Sequence, residues 1–401
     1  MSLRVMVIGA GLGGLTLANG LSRAGVEVVV HERDPEPEAR AQGARVHIDD
    51  RGVQALRACL PSEQFEFFRA TVGRPSKSLC EVGEVDGRWA ILGRYQFFGA
   101  EGVPDSVRPG WPVSRQLLRR TLLSGIGGHV RFGKELLRYE LPPAGGVRAY
   151  FADGSTDSGN VLVGADGIGS PVRGQYLPYA RVVDTGMRWL GGKTPMTTDV
   201  LATGLPDLIE GSFTRIELGE VGMLLATVGF QEPPVAAAAR LLPDFEPADT
   251  EDYVMWALLP GQERLGRSDA DLGMATGAEL WVLAKSLTRA AHPDLRLIVD
   301  QAWPEQTYWL QVGTGVPVAP WPPTAVTLLG DAIHAMPPNR GSGANTALQD
   351  ARRLAANLIA VNRGQLELLP AIADYEDQMR RDGFEAVIAS VSGLNRFTFR
   401  N

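Results

Sequence analysis

The first thirty-odd residues constrain the fold more than any other part of the chain. Leu3 to Ile8 is a short, nearly continuous apolar run, the pattern of a parallel strand buried on both faces. It runs into Gly9-Ala10-Gly11-Leu12-Gly13-Gly14, which satisfies GxGxxG at Gly9, Gly11 and Gly14, with Gly13 in the same turn. Leu15 to Leu21 then reads as a helix, and Val26 to Val30 as a second buried strand ending at His31-Glu32-Arg33. Each part has a mechanical reason. Gly9 makes the tight turn, Gly11 lets the backbone approach a pyrophosphate, and Gly14 lets helix and strand pack closely. The helix N-terminus offers unpaired N–H groups and a positive dipole end to phosphate. Glu32 is placed to accept hydrogen bonds from adenosine ribose hydroxyls, while the neighbouring Arg33 tempers any selection against a 2′-phosphate. The pattern specifies a dinucleotide and does not separate NAD from FAD.

A chain of 401 residues is long for one core, so two lobes are expected. A net charge of −7, with no clustered Lys/Arg run, argues against a nucleic-acid-binding face. Cys59 and Cys80 have no CxxC spacing and form no disulfide framework. The N-terminus lacks the tripartite pattern of a signal peptide, and no apolar run reaches the roughly 20 residues of a membrane span. A cytoplasmic protein with no obligate protein partner is the expectation.

Downstream, Ala44 to Ile48 reads as a short strand and Gly52 to Leu60 as a helix. Arg45 is placed to reach cofactor phosphates, or is a solvated strand-end arginine. Residues from about 73 to 103 alternate as antiparallel hairpin material. Trp111 to Leu118 reads as the start of a helix with Ser114 as N-cap. Val161-Leu162-Val163 is another buried strand, leading into Gly164-Ala165-Asp166-Gly167 and then Ser170, Val172 and Arg173. From Val182 to Gln311 short β-type runs alternate with Pro- and Gly-rich turns, the texture of a mostly antiparallel sheet with helical cover. Its aromatics line an apolar pocket or simply pack the sheet. Near the end, Thr327 to Leu329 is an apolar strand running into Gly330-Asp331, then Pro337-Pro338, then Gly341-Ser342-Gly343-Ala344-Asn345 at the head of a long helix.

These three features in this order resemble the single-component, or group A, FAD-dependent monooxygenases of the aromatic-hydroxylase type. The resemblance runs from Val5 to the helix after Asn345. It implies an α/β fold: a Rossmann-like FAD-binding domain (1–72, 104–175 and 312–401) and a mostly antiparallel β-sheet substrate domain (73–103 and 176–311), with C-terminal helices. It places Asp166 and Arg173 near FAD and NAD(P)H, Asp331 on the flavin ribityl hydroxyls, and Pro338, Gly341, Gly343, Ala344 and Asn345 over the ring. Arg115 fits a position that contacts the flavin phosphates or ribityl chain. Gly341-Ser342-Gly343 stands where many relatives carry Gly-Gln-Gly, an exchange that a backbone-donating loop tolerates.

The implied activity is hydroxylation or epoxidation of an apolar or aromatic small molecule by molecular oxygen, through a peroxyflavin, with NADH or NADPH as reductant. The flavin carries the chemistry, so no side chain is assigned as catalytic and no metal is expected; His334 reads as a packing or hydrogen-bonding residue. Trp189, Met223, Trp256 and Met336 are the candidate substrate contacts. A flavin-dependent reductase or dehydrogenase, and a non-redox flavin-binding protein, remain as alternatives.

Overall fold

The computed structural model describes residues 3–39, 43–75, 78–86, 88–95, 108–218 and 221–394. Arg4–Ile8 is the central strand of a five-stranded sheet. The order is Val326–Leu328, Val161–Gly164, Arg4–Ile8, Glu27–His31 and Val130–Arg131, with every neighbouring pair parallel. Val5, Met6 and Val7 are fully buried, as an unbroken apolar run requires of a strand covered on both faces. Helix Leu12–Arg23 covers the sheet and packs against the 21-residue helix Ser342–Asn362, so the first and last parts of the chain share one core. A three-stranded antiparallel sheet (Leu136–Glu140, Val147–Phe151, Thr156–Gly159) is joined to this lobe by Arg4, which pairs with Asp157 at 2.8 Å.

The second large element is a seven-stranded sheet. Its order is Tyr308–Gly315, Val182–Pro195, Tyr253–Leu259, Val221–Val228, Ser212–Leu218, Ser78–Val85 and Arg88–Tyr95. Only the Ser212–Leu218/Ser78–Val85 pair is parallel. The expected hairpin is present as Ser78–Val85 paired with Arg88–Tyr95; its proposed continuation through Gln96-Phe97-Phe98 lies outside the described residues. Strand alternation gives this sheet two different faces. Leu190, Met223, Val254, Trp256 and Leu258 pack among helices such as Gly277–Leu287 and Pro293–Asp300. Trp189, Leu224, Tyr253, Met255 and Tyr308 point the other way, toward Ala44, Phe67 and Leu117 of the nucleotide lobe.

Two consecutive glycines let large rings lie across the long strand. A Cβ at Gly191 would stand 2.6 Å from the Tyr308 ring, and one at Gly192 would stand 2.4 Å from Trp256 on the opposite face. Some local expectations change. Trp111-Pro112-Val113 is strand rather than helix start, because Gly110–Ser114 pairs with Arg45–Asp49. Ser114 still caps the helix that follows, Arg115–Ser124, accepting from the Leu117 amide at 3.2 Å. Helix Ser62–Ala70, directly after Pro61, and strand Leu136–Glu140 carry no clear sequence signal and were not expected.

Candidate functional site

The five-stranded sheet, the head of helix Ser342–Asn362 and one face of the seven-stranded sheet enclose a cavity of about 430 Å³. Its first wall is backbone. At Gly11 an added Cβ would meet nothing within 4 Å, so this glycine fronts open space. Gly9 and Gly14 are glycines for a different reason. A Cβ at Gly14 would stand 2.2 Å from the Gly9 carbonyl oxygen, and one at Gly9 (φ +105°) 2.4 Å from that of Ala165. The peptide between them is held from both sides. Glu32 Oε2 accepts from the Ala10 N–H at 2.7 Å, and Arg119 Nε donates to the Ala10 carbonyl at 3.0 Å.

The second wall comes from the other end of the chain. Gly330 sits at φ +62°, ψ −143°, a conformation that excludes a side chain at little cost only for glycine. Its N–H donates to Asp350 Oδ2 at 3.0 Å, and His334 Nε2 meets the same oxygen at 2.6 Å. Burial pulls the His334 imidazole toward neutrality, but the Asp350 and Asp331 carboxylates outweigh it and its pKa is raised. Asp331 is walled by protein yet keeps accessible surface, because it faces the cavity. Burial raises its carboxyl pKa against the opposing charges of His334 and Arg115. Gly341 turns the chain at φ +60°, where a Cβ would press on His47 at 2.9 Å. Beyond it Gly343, Ala344 and Ala347 bring the first turns of the helix to the wall. Unpaired N–H groups and the positive dipole end therefore face the cavity.

Two arginines complete the cofactor side. Arg45 lies 5.7 Å from the Phe213 ring centroid, and burial lowers its pKa to about 10. Arg115 is lowered too, by burial, with Asp331 acting against the shift. Arg45 Nη1 and Arg115 Nε are buried without a hydrogen-bond partner among the described residues. A buried cationic donor left unpaired is costly, so the pair suits an anionic ligand. The opposite wall is apolar and aromatic: Trp189, Phe213, Met255, Tyr308 and Val312, with Met336 and Pro337 at its edge.

The cavity thus gathers Gly11, Gly13, Gly14, Arg45, Arg115, Trp189, Asp331, Met336, Pro338, Gly341, Gly343 and Ala344 of the expected set. Glu32 and Gly9 stand behind the glycine turn rather than on the wall, and Arg33 is exposed. Asn345 is fully buried and spent on protein: it accepts from the Asp49 amide at 2.9 Å and donates to the His47 and Gly341 carbonyls at 2.7 and 2.9 Å. Its side chain ties the strand beside the cavity to the helix start.

Asp166 accepts from the Val172 amide at 3.2 Å, with its second oxygen buried and without a hydrogen-bond partner among the described residues. Arg173 bridges two loops, donating to Ala332 and Ile168 carbonyls at 2.8 Å each. Neither lines the cavity, although Gly167 and Ile168 between them do. Met223 and Trp256 are corrected outright. Both are completely buried on the helix-covered face of the sheet, one residue out of phase with the cavity. Met255, next to Trp256, takes that place, and Phe213 and Tyr308 join it. Strand parity separates the two sets but does not by itself tell which face meets the cavity.

Residues 2–59 and 317–382 match a family described as FAD binding domain, and those segments contribute the two backbone walls. Over 98% of its length the chain is 33% identical to the dual O-methyltransferase/FAD-dependent monooxygenase CTB3 of Cercospora beticola, covering 46% of that protein. The chain belongs to the FAD-containing monooxygenases, a membership carried by its 31% identity, over 98% of each chain, to a Photorhabdus luminescens protein of that description. It spans about half the length of CTB3 and of the related dual enzyme elcB of Phaeosphaeria nodorum. A solved structure from Photorhabdus luminescens subsp. laumondii, assigned as an FAD-containing monooxygenase, superposes with a TM-score of 0.76 at 31% identity, over 98% of each chain. The 2,6-dihydroxypyridine-3-hydroxylase of Arthrobacter nicotinovorans shares the fold, with a TM-score of 0.72 at 19% identity over 99% of this chain and 92% of that one. The donor set fits FAD on structural grounds: open space at Gly11, a helix N-terminus and two arginines, each with a buried nitrogen lacking a partner among the described residues, suit a group with a pyrophosphate and an electron-poor ring.

Proposed function

We propose that this chain is an FAD-dependent, NAD(P)H-consuming monooxygenase that hydroxylates or epoxidises an apolar or aromatic small molecule. The observation that carries the reading is the division of one cavity into two chemically distinct walls. Gly11, the Gly330–Asp331 turn, the Gly341 helix start, Arg45 and Arg115 supply amides and cations. Trp189, Phe213, Met255 and Tyr308 supply an aromatic and apolar face opposite them.

In this reading the Gly11 turn admits the pyrophosphate and Glu32 accepts from the ribose, each of its oxygens keeping a lone pair beyond the Ala10 and Asp34 amides it already binds. Asp331 accepts from the ribityl hydroxyls, while the amides after Gly341 bias the ring toward negative charge. Held there, FAD would supply two-electron transfer from NAD(P)H to oxygen, with one oxygen atom going to the substrate and the other to water. The apolar wall excludes water from the reacting centre. In the Cercospora relative a monooxygenase is named together with an O-methyltransferase; a hydroxyl placed on an aromatic ring is the kind of group a methyl transfer then consumes, which favours an aromatic substrate.

The test is oxygen-18 gas supplied with NADH or NADPH and a panel of apolar aromatics. One labelled atom in the product per reductant oxidised is expected. A turned-over product without label makes the chain a reductase or dehydrogenase. Flavin that neither nicotinamide reduces with any substrate makes it a non-redox binder.

A further inference from the structure

Away from the cavity wall, a buried ion pair spans the boundary between the seven-stranded sheet and the nucleotide lobe. Lys193 lies on Val182–Pro195, and Asp249 precedes Tyr253–Leu259; their side chains are 1% and 3% exposed. The Lys193 ammonium donates to both Asp249 oxygens, at 3.0 and 2.8 Å, and to Gln116 Oε1 at 2.9 Å. Its nitrogen lies 4.9 Å from the centroid of the Tyr253 ring. Asp249 also accepts from the Ser114 hydroxyl. The Tyr253 hydroxyl donates to the Ala44 carbonyl at 3.0 Å, and the same carbonyl receives the Arg115 N–H at 3.4 Å.

The addresses of these contacts matter. Ser114 and Gln116 flank Arg115 in the chain, and Ala44 immediately precedes Arg45. The sheet therefore grips the side chains on either side of one cavity arginine, and the carbonyl directly before the other. Ser114 is also the cap from which helix Arg115–Ser124 starts, so Arg115 leaves the backbone at a point the network holds. Stability is a poor reason to keep such a pair. Desolvating two charges offsets most of their attraction, and apolar residues of similar volume commonly serve as well. Placement of a nearby group is the better reason.

We propose that Lys193, Asp249 and Tyr253 are positioning residues, through which the seven-stranded sheet sets Arg45 and Arg115 on the cofactor. The inference rests on the reading of those arginines as FAD ligands. None of the three lines the cavity, so they act through the side chains of Ser114 and Gln116 and the carbonyl of Ala44, and not by touching FAD.

A double-mutant cycle tests this. FAD is titrated into the deflavinated 401-residue chain, wild type and Lys193→Met/Asp249→Leu, each with and without Arg115→Met, while Tm and the visible flavin spectrum are recorded. Removing both charges together leaves no lone buried ion. The paired variant is expected to keep its Tm within a few degrees, to bind FAD about tenfold more weakly and to shift the flavin absorption bands. With Arg115 already replaced, the further loss is about twofold or less.

Wild-type affinity in the paired variant overturns the proposal, and so does the same loss in both backgrounds. Should the paired variant fail to fold, Tyr253→Phe and Gln116→Leu each remove one bond and run the same cycle, with about threefold expected for each. A wild-type chain that takes up no FAD sinks the cofactor reading itself. Wild-type uptake with an unaffected Arg115→Met variant sinks only the positioning role.

Discussion

The parallel sheet meets the cavity with backbone, whereas the seven-stranded sheet meets it with side chains. Around the first, the contacts are a glycine turn, a second glycine turn at Gly330 and a helix start at Gly341, and their geometry is written in residues that no other amino acid replaces cheaply. Around the second, Trp189, Phe213, Met255 and Tyr308 arrive because each sits on the correct side of its strand. A backbone site announces itself in sequence by its glycines. A side-chain site depends on phase, and a shift of one residue sends an aromatic ring to the wrong face.

The largest expected effect lies on the backbone side. Gly11→Val puts two methyl groups into the space that Gly11 leaves open, so the purified chain should be colourless; a yellow protein with normal flavin content would break the contrast. Next comes the phase argument. Trp256→Ala should cost about 3–5 kcal/mol of stability with little change in substrate affinity in the surviving folded fraction. Trp189→Phe should do the reverse, weakening substrate binding by roughly 1 kcal/mol through its smaller ring contact with Tm nearly unchanged. Denaturant titrations and substrate-dependent flavin reduction read the two apart, and equal behaviour would erase the distinction between the faces.

A third test sharpens the nucleotide side. Asp331→Ala should weaken FAD by roughly 1.5–3 kcal/mol, the worth of a charged hydrogen bond, measured by fluorescence titration. The effect with the least bearing on the cavity is expected at Glu376. Its carboxyl accepts from Thr327 on the strand that leads to Gly330, and burial raises its pKa to about 7. A raised carboxyl holds its proton in the folded chain more tightly than in the unfolded one. Its stabilisation is therefore full below about pH 4.5 and lost as pH climbs through about 7. Glu376→Gln should flatten that decline, on the order of 3 kcal/mol across the window, in urea titrations run from pH 5 to pH 8. An unchanged slope would show that the carboxyl does not titrate there.

How far the sequence could be read follows the same division. The strand–turn–helix start, the Gly330–Asp331 turn and the helix after Gly341 were legible because positive φ and close approach leave glycine as a mark. Trp189 and Met336 were placed on the cavity, but Met223 and Trp256 were not, since apolar residues fill both faces of a sheet covered on both sides and alternation carries no polarity cue. Asn345 looked like part of a ligand loop because its neighbours are; its side chain instead ties three backbone groups together. Lys193 and Asp249 gave no signal at all. They are 56 residues apart, in segments whose pairing only the folded sheet defines.

The pairing of helix Leu12–Arg23 with helix Ser342–Asn362 has a consequence for biosynthesis. The Leu3 N–H is bound by the side chain of Asn362, 359 residues later. At the pace of translation, about 5–20 residues per second, the glycine turn waits roughly 20–70 s for the walls that complete it. Through that interval the nascent chain carries an apolar strand and an open phosphate loop with no ring-binding half opposite. The cavity is accordingly assembled only after residues 330–347 have been made, long after its first glycine turn.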